Sequence, residues 1–241
     1  MTNKQYRLSP KEYSLIEDYR KNTTRNVLVI GDLHAPFIKR GYLEHCVNVY
    51  DKYNCTQVVF IGDLIDNHYT SFHEVSIEAE YSGKQELELA IKRVQRYYKA
   101  FNKKGTICLI GNHDRLIMRK AQTSQIPSKW IKSYKEVLEV PNWEFTERYV
   151  FNDIQFVHGE GGQASTKAKA DMMNTISGHY HTLAYTQHFV GAKYRIFATQ
   201  TGTGINFSNY SFAYAKYGKK PAIGCVVVLN GKTPLNILME L

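Results

Sequence analysis

Cysteine is scarce in this 241-residue chain, and long apolar runs are missing. The four cysteines, Cys46, Cys55, Cys108 and Cys225, form no CxxC pair, and a chain of this length does not depend on a disulfide framework. Cys46, Cys108 and Cys225 sit inside apolar runs, where a free thiol behaves as a small hydrophobe, so a reducing compartment fits. No stretch approaches the roughly 18 apolar residues that a membrane span requires. The opening MTNKQYRLSPKEYSL carries no apolar signal core. A soluble, cytoplasmic protein without membrane contact is therefore expected. Internal repeats, low-complexity tracts and domain-dividing linkers are absent too. With 43% hydrophobic and 22% charged residues, disorder and fibrous structure are excluded. Acidic residues are outnumbered, 22 against 31 basic ones, for a net charge of +9. That excess favours an anionic partner such as nucleic acid or a phosphorylated molecule, although many basic proteins have none.

Ser9-Pro10-Lys11-Glu12 is a capping-box pattern with proline at the first helical position, and it predicts a helical extension over residues 1–25. Residues 26–241 then read as a single domain. NVLVIGD (26–32), QVVFIGD (57–63) and TICLIGNHD (106–114) are apolar, β-branched runs, each stopped at a glycine, as expected of strands buried on both faces. Between them, 41–53 and 84–101 place apolar residues at helical spacing. This is the strand–helix alternation of a mostly parallel sheet. A helix is expected near 129–139. Beyond it, IQFVHG (154–159), TISGHYH (175–181), YRIFATQTG (194–202) and GCVVVL (224–229) read as strands. Two sheets meeting in the interior of one α/β domain follow.

Ligand-type residues cluster at five strand ends. Asp32 and His34 lie in GDLH, Asp63 in GDLID, Asn112 and His113 in GNHD, His158 in VHG, and His179 and His181 in SGHYH. Taken singly, each has an ordinary structural explanation as a turn, a helix cap or an alternating strand residue. Taken in order they point to one edge of the sheet, where loops after parallel strands converge. Oxygen and imidazole donors without thiolate suit borderline divalent ions such as Mn, Fe, Zn, Co or Ni. Seven donors exceed one tetrahedral site, so two ions sharing a carboxylate is the economical arrangement.

The series GDLH, GDLID, GNHD, HG and GHYH resembles the calcineurin-like metallophosphoesterase superfamily, over about residues 27–181. The resemblance implies a fold of two mixed β-sheets packed as a sandwich and flanked by helices. It also implies two divalent metals per chain, manganese foremost. Asp32, His34, Asp63 and His181 would hold one of them. Asp63, Asn112, His158 and His179 would hold the other, with Asp63 as the bridge. Phosphoester cleavage by in-line attack of a metal-bridging hydroxide is the expected chemistry. His113 is expected to act as general acid or phosphate-oxygen donor. Asp66, three residues past Asp63, resembles the carboxylate that orients it, unless it only caps its loop.

Departures from the superfamily's protein-phosphatase branch set the substrate expectation. Asn67 and His68 stand where that branch carries an arginine that grips phosphate, and GNHD replaces GNHE. The paired histidines of GHYH resemble the phosphodiesterase and nuclease branches instead. Arg115 could supply the missing cation or cap the following helix. His68 and His73 could touch substrate or be exposed loop residues. Two sectors could meet nucleic acid. One is the basic insert 115–148, with Arg119, Lys120, Lys129, Trp130, Lys132 and Lys135. The other is the aromatic C-terminal half with Tyr194, Phe207, Tyr210, Phe212, Tyr214 and Tyr217, where sheet packing is the competing explanation. A phosphodiesterase or nuclease is the leading expectation, and a phosphomonoesterase acting on phosphoprotein or a small metabolite is the alternative. A catalytically silent scaffold is disfavoured because no metal position is missing.

Overall fold

In β1 (Val27–Ile30), β2 (Gln57–Phe60) and β3 (Ile107–Leu109), apolar side chains point alternately to the two faces of one sheet. A computed structural model of the chain describes residues 9–10, 25–71, 81–102, 105–208 and 220–240. Most of the expected N-terminal helix, His73 and the aromatics Tyr210, Phe212, Tyr214 and Tyr217 lie outside the described residues. Val27, Val29, Val59, Ile107 and Leu109 face an inner apolar layer. Leu28, Ile30, Val58, Phe60 and Cys108 face an outer one. With both faces covered these strands read as nearly continuous apolar runs, the one polar member being Gln57 at the start of β2, whose side-chain amide donates to the Tyr149 hydroxyl.

The three strands are parallel, β1 beside β2 and β2 beside β3. They are joined by α1 (Tyr42–Lys52) and α2 (Gly83–Ala100). Both helices cover the outer face, Tyr42, Cys46 and Val49 from α1 and Ala90, Val94 and Tyr97 from α2. Ser82 starts α2 with a reciprocal capping box, its hydroxyl accepting from the Gln85 amide while the Gln85 side chain accepts from Ser82 N–H. The sheet is completed by β4 (Glu144–Thr146), β10 (Gly224–Leu229) and β11 (Thr233–Leu238), in the order β11-β10-β1-β2-β3-β4.

The second sheet has the order β5-β6-β7-β9-β8. It consists of β5 (Arg148–Phe151), β6 (Ile154–Val157), β7 (Asn174–Ser177), β8 (Ala184–Val190) and β9 (Arg195–Thr201). Ile154, Phe156, Ile176 and Phe197 meet the inner layer of the first sheet. On the outer side, α5 (Ala164–Asp171) packs Ala164 and Ala168 against Ile196 and Ala198. Two mixed sheets, face to face and flanked by helices, bear out the expected α/β sandwich.

The single helix expected over 129–139 is instead two pieces. Residues Ser128–Trp130 form one 3-10 turn, Ile131 is extended, and Ser133 opens α4 (Tyr134–Leu138) with its own capping box to Glu136. Ahead of them, α3 (Leu116–Thr123) follows directly on GNHD. Among the described residues, no helix is long and apolar enough to cross a membrane.

Candidate metal centre

β1, β2 and β3 end just before Gly31, Ile61 and Ile110, and β6 and β7 end just before His158 and Gly178. The residues that follow them converge on one cluster of polar side chains. Asp32, His34, Asp63 and His181 place one donor atom each within 4.8 Å of one another, and so do Asp63, His158 and His179. Asp63 belongs to both groups. A third group joins His34, Asp66 and His113.

Two glycines set how closely these loops approach. A Cβ on Gly111 would fall on the amide and carboxylate of Asp63, and one on Gly178 would fall on Asp32 Oδ1. Both positions must lack a side chain for the carboxylates to be seated. His34, Asp63 and His179 adopt left-handed φ values of 45°, 48° and 71°. Each costs on the order of 1 kcal/mol for a residue with a Cβ, a cost that tends to collect at functional sites.

The carboxylates are fixed from several directions. Asp63 Oδ1 accepts from the His113 N–H at 2.8 Å, and its carbonyl accepts from Leu33 and His34 N–H. Asp63 Oδ2 lies 3.0 Å from His158 Nε2 and 3.5 Å from His34 Nε2. Asp32 Oδ2 accepts from His179 N–H at 2.8 Å and lies 3.2 Å from His181 Nε2. Asp32 Oδ1 is buried without a hydrogen-bond partner among the described residues.

The orientation of the imidazoles tests whether a cation fits. His158 Nδ1 donates to the Ile61 carbonyl at 3.1 Å, so its Nε2 faces two oxygens, Asp63 Oδ2 and Asn112 Oδ1, each at 3.0 Å. His34 Nδ1 donates to Asp66 Oδ1 at 2.6 Å, and its Nε2 faces His181 Nε2 at 3.1 Å. In neutral histidines these Nε2 atoms carry lone pairs. Lone pairs of nitrogen and oxygen therefore point at one another, and together with the orphaned Asp32 Oδ1 they fit a positive ion. The Asp66–His34 contact is the carboxylate–histidine pairing that commonly orients a metal ligand.

Charge interactions follow the same geometry. Burial alone would lower the His158 pKa, but the Asp63 charge outweighs it and lifts the group to about 10, so this position draws positive charge, which either a proton or a metal cation can supply. Burial likewise opposes the Asp63 carboxylate, yet His158 holds it well below the usual range. His113 is lowered by burial and raised more strongly by Asp66 and Asp63, reaching about 10. His34 is lowered by burial and by the neighbouring His113, against the pull of Asp66.

All seven expected metal-type residues are brought together, with Asn112 joining through its Oδ1 contact to His158. Asp66 lies beside His113 as expected, but its Oδ1 is closer to His34 (2.6 Å) than to His113 (3.3 Å). His113 Nδ1 instead donates to the Asp66 carbonyl at 2.8 Å. His68 is buried at 2% exposure in a 3-10 turn, which removes the exposed-loop alternative. Burial lowers its pKa, and its N–H donates to Glu86 Oε1. Arg115 occupies the N-cap position of α3 without a side-chain cap. It donates to the Ile110 carbonyl and pairs with Glu160 at 3.0 Å. In the basic insert, Trp130 is 84% exposed between exposed Lys129 and Lys132.

Sequence reasoning gave no role to Asp114, Gln200 or Thr203. Asp114 accepts from Gly111 N–H and Ile65 N–H, bracing the loop after β3 against the loop after β2. The Gln200 amide donates to the Gly178 and Ser177 carbonyls, and Thr203 Oγ1 donates to the Asp32 carbonyl. Asp114 was visible as the last letter of GNHD. Gln200 and Thr203 had only their position at the end of an apolar run as a signal.

A family model for calcineurin-like phosphoesterases matches residues 25–190, and the chain belongs to that family. No curated protein matches the chain significantly in sequence. Among solved structures, the chain is similar to an archaeal phosphodiesterase at 13% identity and a TM-score of 0.45, covering 89% of this chain and 99% of that one. It is also similar to vacuolar protein sorting 29 of Cryptosporidium parvum (16%, 0.42, 91% and 98%). A third similar structure is Pseudomonas putida nuclease MPE (12%, 0.37, 85% and 84%).

Proposed function

We propose that this protein is a dimetal-dependent phosphoesterase acting on phosphodiesters of nucleotides or nucleic acid. The observation that carries the reading is the overlap of two donor clusters on one carboxylate, Asp63. Asp32, His34, Asp63 and His181 would hold one divalent ion, and Asp63, Asn112, His158 and His179 the other. Manganese heads the ions this donor set suits, with iron, zinc, cobalt and nickel after it. Such ions supply Lewis acidity to phosphoryl oxygens and ionise water near neutral pH.

The chain's own residues orient and transfer protons. Asp66 takes the proton of His34 Nδ1 into a short hydrogen bond and so keeps His34 Nε2 turned toward the donor cluster. His113 is held by its own N–H on Asp63 and by Nδ1 on the Asp66 carbonyl. Its Nε2 is then the nitrogen that protonates the departing oxygen. Asn67 and His68 stand where an arginine would grip a monoester dianion. A diester carries one negative charge fewer, and the site matches it better. Exposed Trp130 between two lysines supports a nucleic-acid substrate, because an indole face can stack on a base while the ammonium groups meet phosphates. Arg115 is the candidate for direct substrate contact, whereas His68, at 2% exposure, is turned inward and is not. A phosphate reaching Arg115 would compete with Glu160.

With manganese supplied, hydrolysis of bis-p-nitrophenyl phosphate should exceed that of p-nitrophenyl phosphate. A strong preference for the monoester would overturn the diester reading. Turnover of neither would favour a silent scaffold. His113→Ala should lower kcat by about 100-fold or more while metal content stays at the wild-type level. Loss of metal in that variant would make His113 structural.

A further inference from the structure

Away from the metal-type residues, a cavity of about 430 Å³ opens between the start of α1 and the flank of α2. Its size falls in the range of small-ligand sites. Lys39 and Arg40 line it from the loop before α1, and Arg93 and Arg96 line it from α2. The only carboxylate in the lining is Glu44, which pairs with Arg96 at 3.1 Å. Lys39, Arg40 and Arg93 have no ion-pair partner among the described residues. Four cations thus face one carboxylate.

Two further features point to an anion. Helix α1 begins at Gly41, a left-handed N-cap with φ 85° and no side-chain cap; the Tyr42 N–H donates to the Lys39 carbonyl, which leaves the N–H groups of Leu43 and Glu44 presented to this end. Tyr97 also lines the cavity. It is 2% exposed, and its buried hydroxyl has no hydrogen-bond partner among the described residues. Leaving such a hydroxyl unsatisfied is costly, and a ligand oxygen would relieve it once the side chains that cover the hydroxyl move aside. Burial raises the Tyr97 pKa well above its ordinary value, so the group stays protonated and donates.

We infer that this cavity is a second phosphate-binding site, in which Tyr97, Arg93 and the basic loop Lys39–Arg40 grip a phosphate group at the α1 N-terminus. The site uses none of the residues assigned to the metal centre, and only the choice of an oligonucleotide probe rests on the phosphodiester reading. Loop 36–41 joins the two places directly. The Lys39 N–H donates to the Gly204 carbonyl, and the Gly204 N–H donates to the Asp32 carbonyl. A strand cut at the metal centre could in this way be held by a second phosphate.

The test uses the full chain stripped of metal by chelation and dialysis, so that the metal centre adds no phosphate affinity. Inorganic phosphate is titrated calorimetrically, and a fluorescein-labelled single-stranded 12-mer DNA is titrated by anisotropy. Arg93→Gln combined with Tyr97→Phe should weaken phosphate binding about tenfold or more, and Glu44→Gln should tighten it about threefold. Weakening with both probes assigns the site to a backbone phosphate. Weakening with inorganic phosphate alone assigns it to a free phosphate, and either result supports the site. Unchanged affinities for both probes, or no binding of either by the wild-type chain, would overturn it. Exposed Arg93→Gln alone serves if the double variant fails to fold. With manganese restored, hydrolysis of bis-p-nitrophenyl phosphate should be unchanged in Arg93→Gln, which separates failure of this site from failure of the metal centre.

Discussion

The two sheets contribute to the metal centre in different ways. From the six-stranded sheet come Asp32, His34, Asp63 and Asn112, and three of these are at most 1% exposed. Six hydrogen bonds, two to the carboxylates and four to the backbone carbonyls of Asp32 and Asp63, together with two bare glycines, fix these residues in place. From the five-stranded sheet come only imidazoles, and His181, on the turn after β7, is 18% exposed. The oxygen side is therefore built rigidly into the core, whereas part of the nitrogen side is carried on a loop at the surface. A donor on a partly exposed turn is held by fewer neighbours than one in the core, so the two sheets are expected to tolerate substitution differently.

The sharpest way to break this comparison is a pair of substitutions. Asp63→Asn should cut phosphodiester turnover by at least about 1,000-fold and lower bound metal, because both donor groups share that carboxylate. His181→Ala should cost roughly tenfold less and leave one ion behind, read by elemental analysis of the purified chain. Equal losses in the two variants would remove the distinction between the sheets.

A stability measurement sharpens it from the carboxylate side. Glu86, on α2, is buried beneath the His68 turn, and burial together with the Asp66 charge raises its pKa to about 7. Its folded pKa exceeds the unfolded one, so its contribution favours the fold fully below about pH 4.5. That contribution is lost as pH rises through about 7. Between pH 5 and 8 the wild type should lose on the order of 2 kcal/mol relative to Glu86→Gln, followed by urea midpoints at each pH. Parallel profiles would show that Glu86 is not burdened by its surroundings.

The smallest effect concerns Arg115, whose partner Glu160 follows β6. The pair is partly exposed, 34% and 41%. Arg115→Gln should change stability by less than about 1 kcal/mol. If Arg115 touches substrate, KM should rise severalfold with kcat unchanged. A fall in kcat alone would instead assign it a role in positioning the loop after β3.

Much of the six-stranded sheet was legible because its central strands are buried on both sides and their neighbours have clear helical spacing. β4, β5, β8 and β11 were not legible. Each is an edge strand of its sheet, and exposed or half-exposed positions dilute the pattern, as in Arg148, Val150, His188 and Val190. Helix α5 was missed because it packs through Ala164 and Ala168, which leave little apolar periodicity to see. The donors were legible because glycine and a ligand-type residue follow one another at five strand ends. What no spacing could convey was which partner each side chain would choose. Asp66 stands nearer to His34 than to His113, and His68 is turned inward beside Glu86.

The inner layer of Val27, Val29, Val59, Ile107 and Leu109 against Ile154, Phe156, Ile176 and Phe197 does more than hold the sheets together. Its thickness is the caliper that spaces the carboxylates of one sheet from the imidazoles of the other. A shaved side chain such as Phe156→Leu, itself no donor although two residues before His158, would let the jaws of that caliper drift. The affinity of the proposed site for divalent ions would then report on the packing of hydrocarbon.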